Sequence, residues 1–184
     1  MKDNILIQFM NQLSLRLDKE GLYMITTKGL KDLLGVMEIM AANERLIGSF
    51  YQSCAETWEQ DRTFWLTIAA EEEKHAKNIE RVAQIISLKP EQFEIGRPFN
   101  TAAIQTVMAG IERHLKRLRE RHMTRGQAIF IARDIETSLI EKNYGEIVKT
   151  SDIEYLTLMK EVTGETEKHK DSIERRIQEI KAEI

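Results

Sequence analysis

The sequence is short of the residues that cross-link, kink or interrupt a chain. Cys54 is the only cysteine, so an intramolecular disulfide cannot form, and neither can a CxxC zinc site or a rubredoxin-type iron site. A lone thiol fits a reducing cytoplasm, and it also fits any compartment where no bridge is needed. Only 2 prolines and 9 glycines occur in 184 residues, which leaves little to break long helices. No run approaches about 18 apolar residues, so no membrane span is expected. Met1-Lys2-Asp3-Asn4 lacks the basic start and long apolar stretch of a signal peptide, and a cytoplasmic location is the expectation. Excess positive charge is also missing. The 27 lysines and arginines face 30 aspartates and glutamates, and a formal net charge of −3 gives no case for nucleic acid.

What the sequence does have is helical periodicity. Met37, Met40, Glu44, Ile47, Tyr51 and Cys54 recur at steps of three and four, which is one helix face. Ile68, Glu72, His75, Ile79, Val82 and Ile86 form a second such stripe. Asp61 stands between them as an expected N-cap. Pro90 and Pro98 bracket a break, after which Asn100 is placed to cap a helix reaching about Arg119. Thr124 to Gln127 reads as a capping box opening a third main helix, with Ile129, Ala132, Glu136, Leu139, Asn143 and Ile147 along one side. Ser151 to Glu154 reads as another, opening a fourth with Met159, Val162, Thr166, His169, Ile173, Ile177 and Ile180.

Each main helix is expected to run about 25 residues, or roughly 35–40 Å. Short links at 57–62 and 149–152 make two antiparallel hairpins, and the stretch 88–123 is long enough to cross over between them. Residues 1–29 read as an N-terminal extension. Its Leu13, Leu15 and Leu17 alternate like a strand, although the segment also accepts a helix, and partial helix is the expectation. Residues 30–184 form the expected all-α bundle.

The two hairpins resemble each other. Asn43-Glu44 matches Ile135-Glu136, and Glu71 to His75 matches Glu165 to His169, at offsets of 92 and 94 residues. Such spacing indicates a duplicated unit. The apolar stripes carry Glu44, Glu72, His75, Glu136 and His169 where a plain core has aliphatics. A buried ionised carboxylate costs several kcal/mol unless it is paired or metal-bound. A divalent cation is the simplest compensating charge, and carboxylate oxygen with imidazole nitrogen suits iron, manganese or zinc. In Glu-x-x-His the two side chains share a helix face and reach the same ion.

These residues resemble the rubrerythrin and ferritin-like family over about residues 30–184. The resemblance rests on Leu30 to Leu34, Asn43-Glu44, Phe50-Tyr51, Ala70 to His75 and Arg133 to Glu141. It implies a ferritin-like antiparallel four-helix bundle of two hairpins, joined by a long crossover containing an extra helix. It implies a carboxylate-bridged di-iron centre, with Glu44 and Glu136 as terminal ligands, Glu72 bridging, and His75 and His169 binding one ion each. It implies oxidase or peroxidase chemistry with O2 or H2O2, an external electron donor, since no rubredoxin-type site is present, and a homodimer. Thr166 departs from the pattern, because the second Glu-x-x-His should have glutamate there. Glu165 is the alternative ligand, brought inward if a one-residue π-bulge follows Gly164. Leu139 stands where rubrerythrins carry a further glutamate. Thr166 also supports a rival reading, a degenerate bundle with one metal or none that serves as a scaffold or partner-binding module.

Tyr51 and Tyr144 lie seven and eight residues beyond Glu44 and Glu136, within reach of a carboxylate or simply packed. His114 and His122 read as surface groups. Glu71, Glu73, Glu165 and Glu167 read as solvated neighbours of the stripes, Glu165 turning inward only in the π-bulge alternative.

Overall fold

Thr26 accepts a hydrogen bond from Gly29 N–H (3.0 Å), and this cap opens a helix α1, Thr27–Thr57, three residues earlier than Leu30. The computed structural model describes residues 15–17, 23–96, 101–141, 144 and 147–182. Ahead of α1 a short antiparallel pair, β1 (Leu15–Leu17) and β2 (Tyr23–Ile25), places Leu15 opposite Ile25. In the extension the described residues therefore take the strand alternative up to Ile25.

The chain then runs through a 3-10 turn at Glu59–Asp61 into α2, Arg62–Leu88. A second 3-10 turn, Pro90–Gln92, leads to β3, Glu94–Ile95. The crossover helix α3, Thr101–Arg119, ends at Arg121 (φ 56°), whose left-handed backbone lets His122 N–H return to the Arg117 carbonyl (2.8 Å). Helix α4 is Arg125–Glu141, β4 is Val148–Lys149, and α5 is Ile153–Ala182. The described residues are overwhelmingly helical, so the fold is all-α, with two very short strand pairs at its edges.

The capping box before α4 is present in both directions, Thr124 N–H to Gln127 Oε1 (3.1 Å) and Gln127 N–H to Thr124 Oγ1 (3.2 Å). Two expected caps differ. Helix α5 is capped by Asp152, which accepts from Tyr155 N–H (2.9 Å), rather than by Ser151. Asp61 stands at the N-cap position of α2, but its side chain makes no cap bond. Its carboxylate is instead clasped by Arg125 Nε (2.6 Å) and Arg176 Nε (2.9 Å), which ties the α1–α2 turn to the start of α4 and the far end of α5.

Helix α4 stops well short of the expected length. β4 then pairs with β3, Glu94 opposite Lys149 and Ile95 opposite Val148. Ile147 is buried, but beside this strand pair rather than on a helix. Asn100, Asn143 and the side chain of Leu139 lie outside the described residues.

Ion pairs and ring contacts define the packing. Tyr51 stacks on Trp65 (5.7 Å between centroids) and Arg45 reaches Glu73 and Glu80, which fixes α1 antiparallel to α2. Lys74 reaches Glu161 and Glu165, and Arg81 reaches Glu154, which fixes α2 antiparallel to α5. Phe50 of α1 meets His114 of α3, so that histidine is half-buried in the crossover contact rather than a surface group. The stripes on α1 and α2 are buried throughout, and so is that on α5 as far as Ile177. Their acidic and imidazole members therefore lie in the middle of the bundle.

Candidate metal centre

Five charged or titratable side chains meet in this core. Glu44 on α1, Glu72 and His75 on α2, Glu136 on α4 and His169 on α5 are each at most 2% exposed. Gly48 lets α1 come close at this level. A Cβ built there would stand 3.3 Å from both Glu72 Cβ and the Ala69 carbonyl.

Glu72 is the centre of the arrangement. Its Oε2 lies 3.1 Å from His75 Nδ1, and its Oε1 lies 3.0 Å from His169 Nδ1. Glu44 stands 3.8 Å from His75 Nδ1, and Glu136 stands 3.7 Å from His169 Nδ1. The imidazoles are stacked, with centroids 5.4 Å apart. The cluster therefore has two similar halves that share one carboxylate.

The polar atoms converge without fully satisfying one another. Glu44 Oε1 and Glu136 Oε2 are buried with no hydrogen-bond partner among the described residues, and Glu72 Oε1 and His169 Nδ1 meet only each other, as an ion pair. Each such atom costs about 1–3 kcal/mol when left unpaired, and more when charged. Glu72, His75 and His169 bring ligand atoms within 4.8 Å of one another, so this buried trio can hold a metal ion. The donor set is imidazole nitrogen with carboxylate oxygen, and it fits iron, manganese or zinc.

The outer face of each ring is also held. His75 Nε2 donates to Glu165 Oε2 (3.0 Å), and His169 Nε2 donates to Glu71 Oε2 (2.6 Å). Glu165 does this from an uninterrupted α-helix, so no π-bulge is formed, and it meets the ring nitrogen that faces away from Glu72. Glu71 is likewise not a merely solvated neighbour. Glu73 pairs with Arg45 at the surface. Thr166 is buried, but its hydroxyl donates to the Val162 carbonyl one turn back (3.0 Å).

The tyrosines engage Glu136 and Glu44 crosswise. Tyr51 donates to Glu136 Oε1 (2.5 Å). Tyr144, also buried, faces Glu44, and burial followed by that carboxylate's charge pushes its phenol well above the usual range.

Proton affinities follow from the same packing. Burial opposes charge on His75, but Glu44 and Glu72 outweigh it and push its pKa up to about 10. Burial is likewise outweighed at His169 by Glu136 and Glu72, which push it up to about 11. Burial lifts Glu44 to about 7, although the nearby His75 pulls it down in part. All three groups bind protons more tightly folded than unfolded. Each contributes stability fully below its ordinary pKa and loses it as pH rises through the folded value. Metal-free protein should therefore melt at progressively lower temperature from pH 4.5 to 11. Melts recorded with chelator that stay flat or rise across that window would contradict this balance.

The chain matches no protein-family model, no curated protein and no solved structure. No helix among the described residues is long and apolar enough to cross a membrane.

Proposed function

We propose that this chain is a ferritin-like, rubrerythrin-type protein that holds iron and reacts with O2 or H2O2 as an oxidase or peroxidase. The observation that carries the reading is Glu72, whose two oxygens each face one histidine Nδ1 while a further carboxylate flanks each half. Glu44 and His75 would hold one ion, Glu136 and His169 the other, and Glu72 would lie between them. Bound iron would supply the Fe(II)/Fe(III) couple, and manganese or zinc would fit the same donors.

The chain's own residues do the rest. Tyr51 ties down Glu136 Oε1 and leaves Oε2 directed at the cluster. The aliphatic stripes above and below exclude bulk water. A cavity of about 440 Å³, lined in part by Thr67, Ile68, Glu71, His169 and Ser172, reaches the outer edge of the cluster and would admit a small oxidant. With one cysteine in the chain, electrons would come from an external donor. A homodimer in a reducing cytoplasm belongs to the same proposal.

Elemental analysis of protein purified without added metal, followed by anaerobic Fe(II) loading and H2O2, tests it. Up to two iron atoms per chain and a rise in near-ultraviolet ferric absorption are expected. No bound metal and no absorption change would refute it.

Thr166 favours a second reading. Threonine brings no carboxylate to position 166, and its hydroxyl donates to its own helix. One ion, or none, would then make the bundle a scaffold or partner-binding module. A stoichiometry of one or less, with H2O2 without effect on the loaded protein, would select it.

A further inference from the structure

Glu71 and Glu165 are not explained by the cluster itself. They are the same position in the two hairpins, 94 residues apart and four residues before a histidine. Neither turns to the histidine on its own helix. Glu165 on α5 takes the outer N–H of His75 on α2, and Glu71 on α2 takes the outer N–H of His169 on α5. The exchange runs in both directions across one helix–helix contact. Both bonds fall on Nε2, and both Nδ1 atoms face Glu72.

We propose that Glu71 and Glu165 are reciprocal positioning residues, each fixing the ring on the opposite helix so that its Nδ1 is presented to the cluster. This rests on the metal-binding reading. A carboxylate on Nε2 makes that nitrogen the donor and leaves Nδ1 to bind the ion. It also raises the basicity of the ring and sets its plane.

The two braces differ in strength. The other oxygen of Glu165 is held by Lys74 (2.8 Å), which also holds Glu161 (2.5 Å), and the Glu165 side chain is 17% exposed. Glu71 is 41% exposed, no cation pairs with it among the described residues, and it borders the cavity beside His169. The His75 half is therefore the rigid one, and the His169 half is the half that opens towards solvent.

The test uses the full chain with Glu71→Ala, Glu165→Ala and the two corresponding Gln variants. Co(II) binding is measured by titration, and the histidine ring signals are read by proton–nitrogen NMR. In wild type both Nε2–H signals should be present and slow to exchange. Glu165→Ala should abolish only the His75 signal, and Glu71→Ala only the His169 signal. Each should weaken Co(II) roughly 10- to 100-fold at the affected half, with Glu165→Ala the larger loss. Glutamine keeps an acceptor oxygen and should restore the signal and most of the affinity.

A crossed pattern of this kind cannot come from general loosening of the fold. Alanine variants that bind Co(II) like wild type and keep both ring signals would overturn the inference and leave the metal reading intact. A wild type that binds no Co(II), Fe(II) or Zn(II) would overturn the metal reading itself.

Discussion

Replacing Glu72 with glutamine should remove bound metal from both halves of the site at once. Glutamine has nearly the same shape, so the packing against Gly48 is kept while the charge is lost. Each Glu72 oxygen serves a different histidine, and no other described carboxylate oxygen lies nearer to either Nδ1. The companion control is Glu73→Gln, one residue along the same helix, where the side chain pairs with Arg45 at the surface. Wild type at a thousandfold excess of metal over Kd should gain about 4 kcal/mol, or roughly 8–16 °C in Tm for a chain of this size. Glu73→Gln should show the same gain, and Glu72→Gln little or none. Full metal content and the full thermal shift in Glu72→Gln would show that the ions, if bound, sit elsewhere.

Replacing Asp61 with alanine should be among the most destabilising single changes in the chain, and it should do so far from the cluster. The Asp61 side chain is 1% exposed and accepts from both Arg125 and Arg176, whose own side chains are 18% and 20% exposed. Both arginines outweigh the cost of burial and hold the carboxyl below its usual range. Without it, two mostly buried guanidiniums lose the counter-charge they share, and Arg176 keeps Glu179. Breaking a buried pair from one side costs about 3–5 kcal/mol, which is roughly 6–20 °C in Tm. Its share of stability is present above the ordinary carboxylate pKa and is lost as pH falls through the lowered folded value, so the deficit should narrow in acid. Metal content per folded molecule should be unchanged. An Asp61→Ala protein that melted with wild type would mean that this clasp stabilises nothing.

The contrast between these residues shows what a single sequence makes legible. Glu44, Glu72, His75, Glu136 and His169 stand in apolar stripes, so their burial could be read from spacing alone, and the structure buries all five. The capping box at Thr124 is a local pattern and is present as written. Asp61 looked like a local cap because its true partners lie 64 and 115 residues away. Glu71 is next to Glu72, and one helical residue turns about 100°, so it leaves the stripe and reads as solvated. Only the approach of α5 gives it a partner. The repeat did hold a signal for it, since Glu71 and Glu165 match in the two hairpins, but matching glutamates on a charged helix face carry little weight alone. The early end of α4 was missed for a related reason. Ile147 continues the helical spacing by chance, while its backbone belongs to the turn before β4.

The crossed bonds of Glu71 and Glu165 have a consequence for how such a chain can change. A hairpin of this kind is incomplete alone, because the carboxylate behind its histidine is carried by the other hairpin. Two identical hairpins docked together would complete each other, but every substitution would then appear twice, and neither half could carry a carboxylate that the other lacks. Joining the hairpins in one polypeptide removes that restriction. Residue 72 is glutamate while residue 166 is threonine, and the two halves are free to differ.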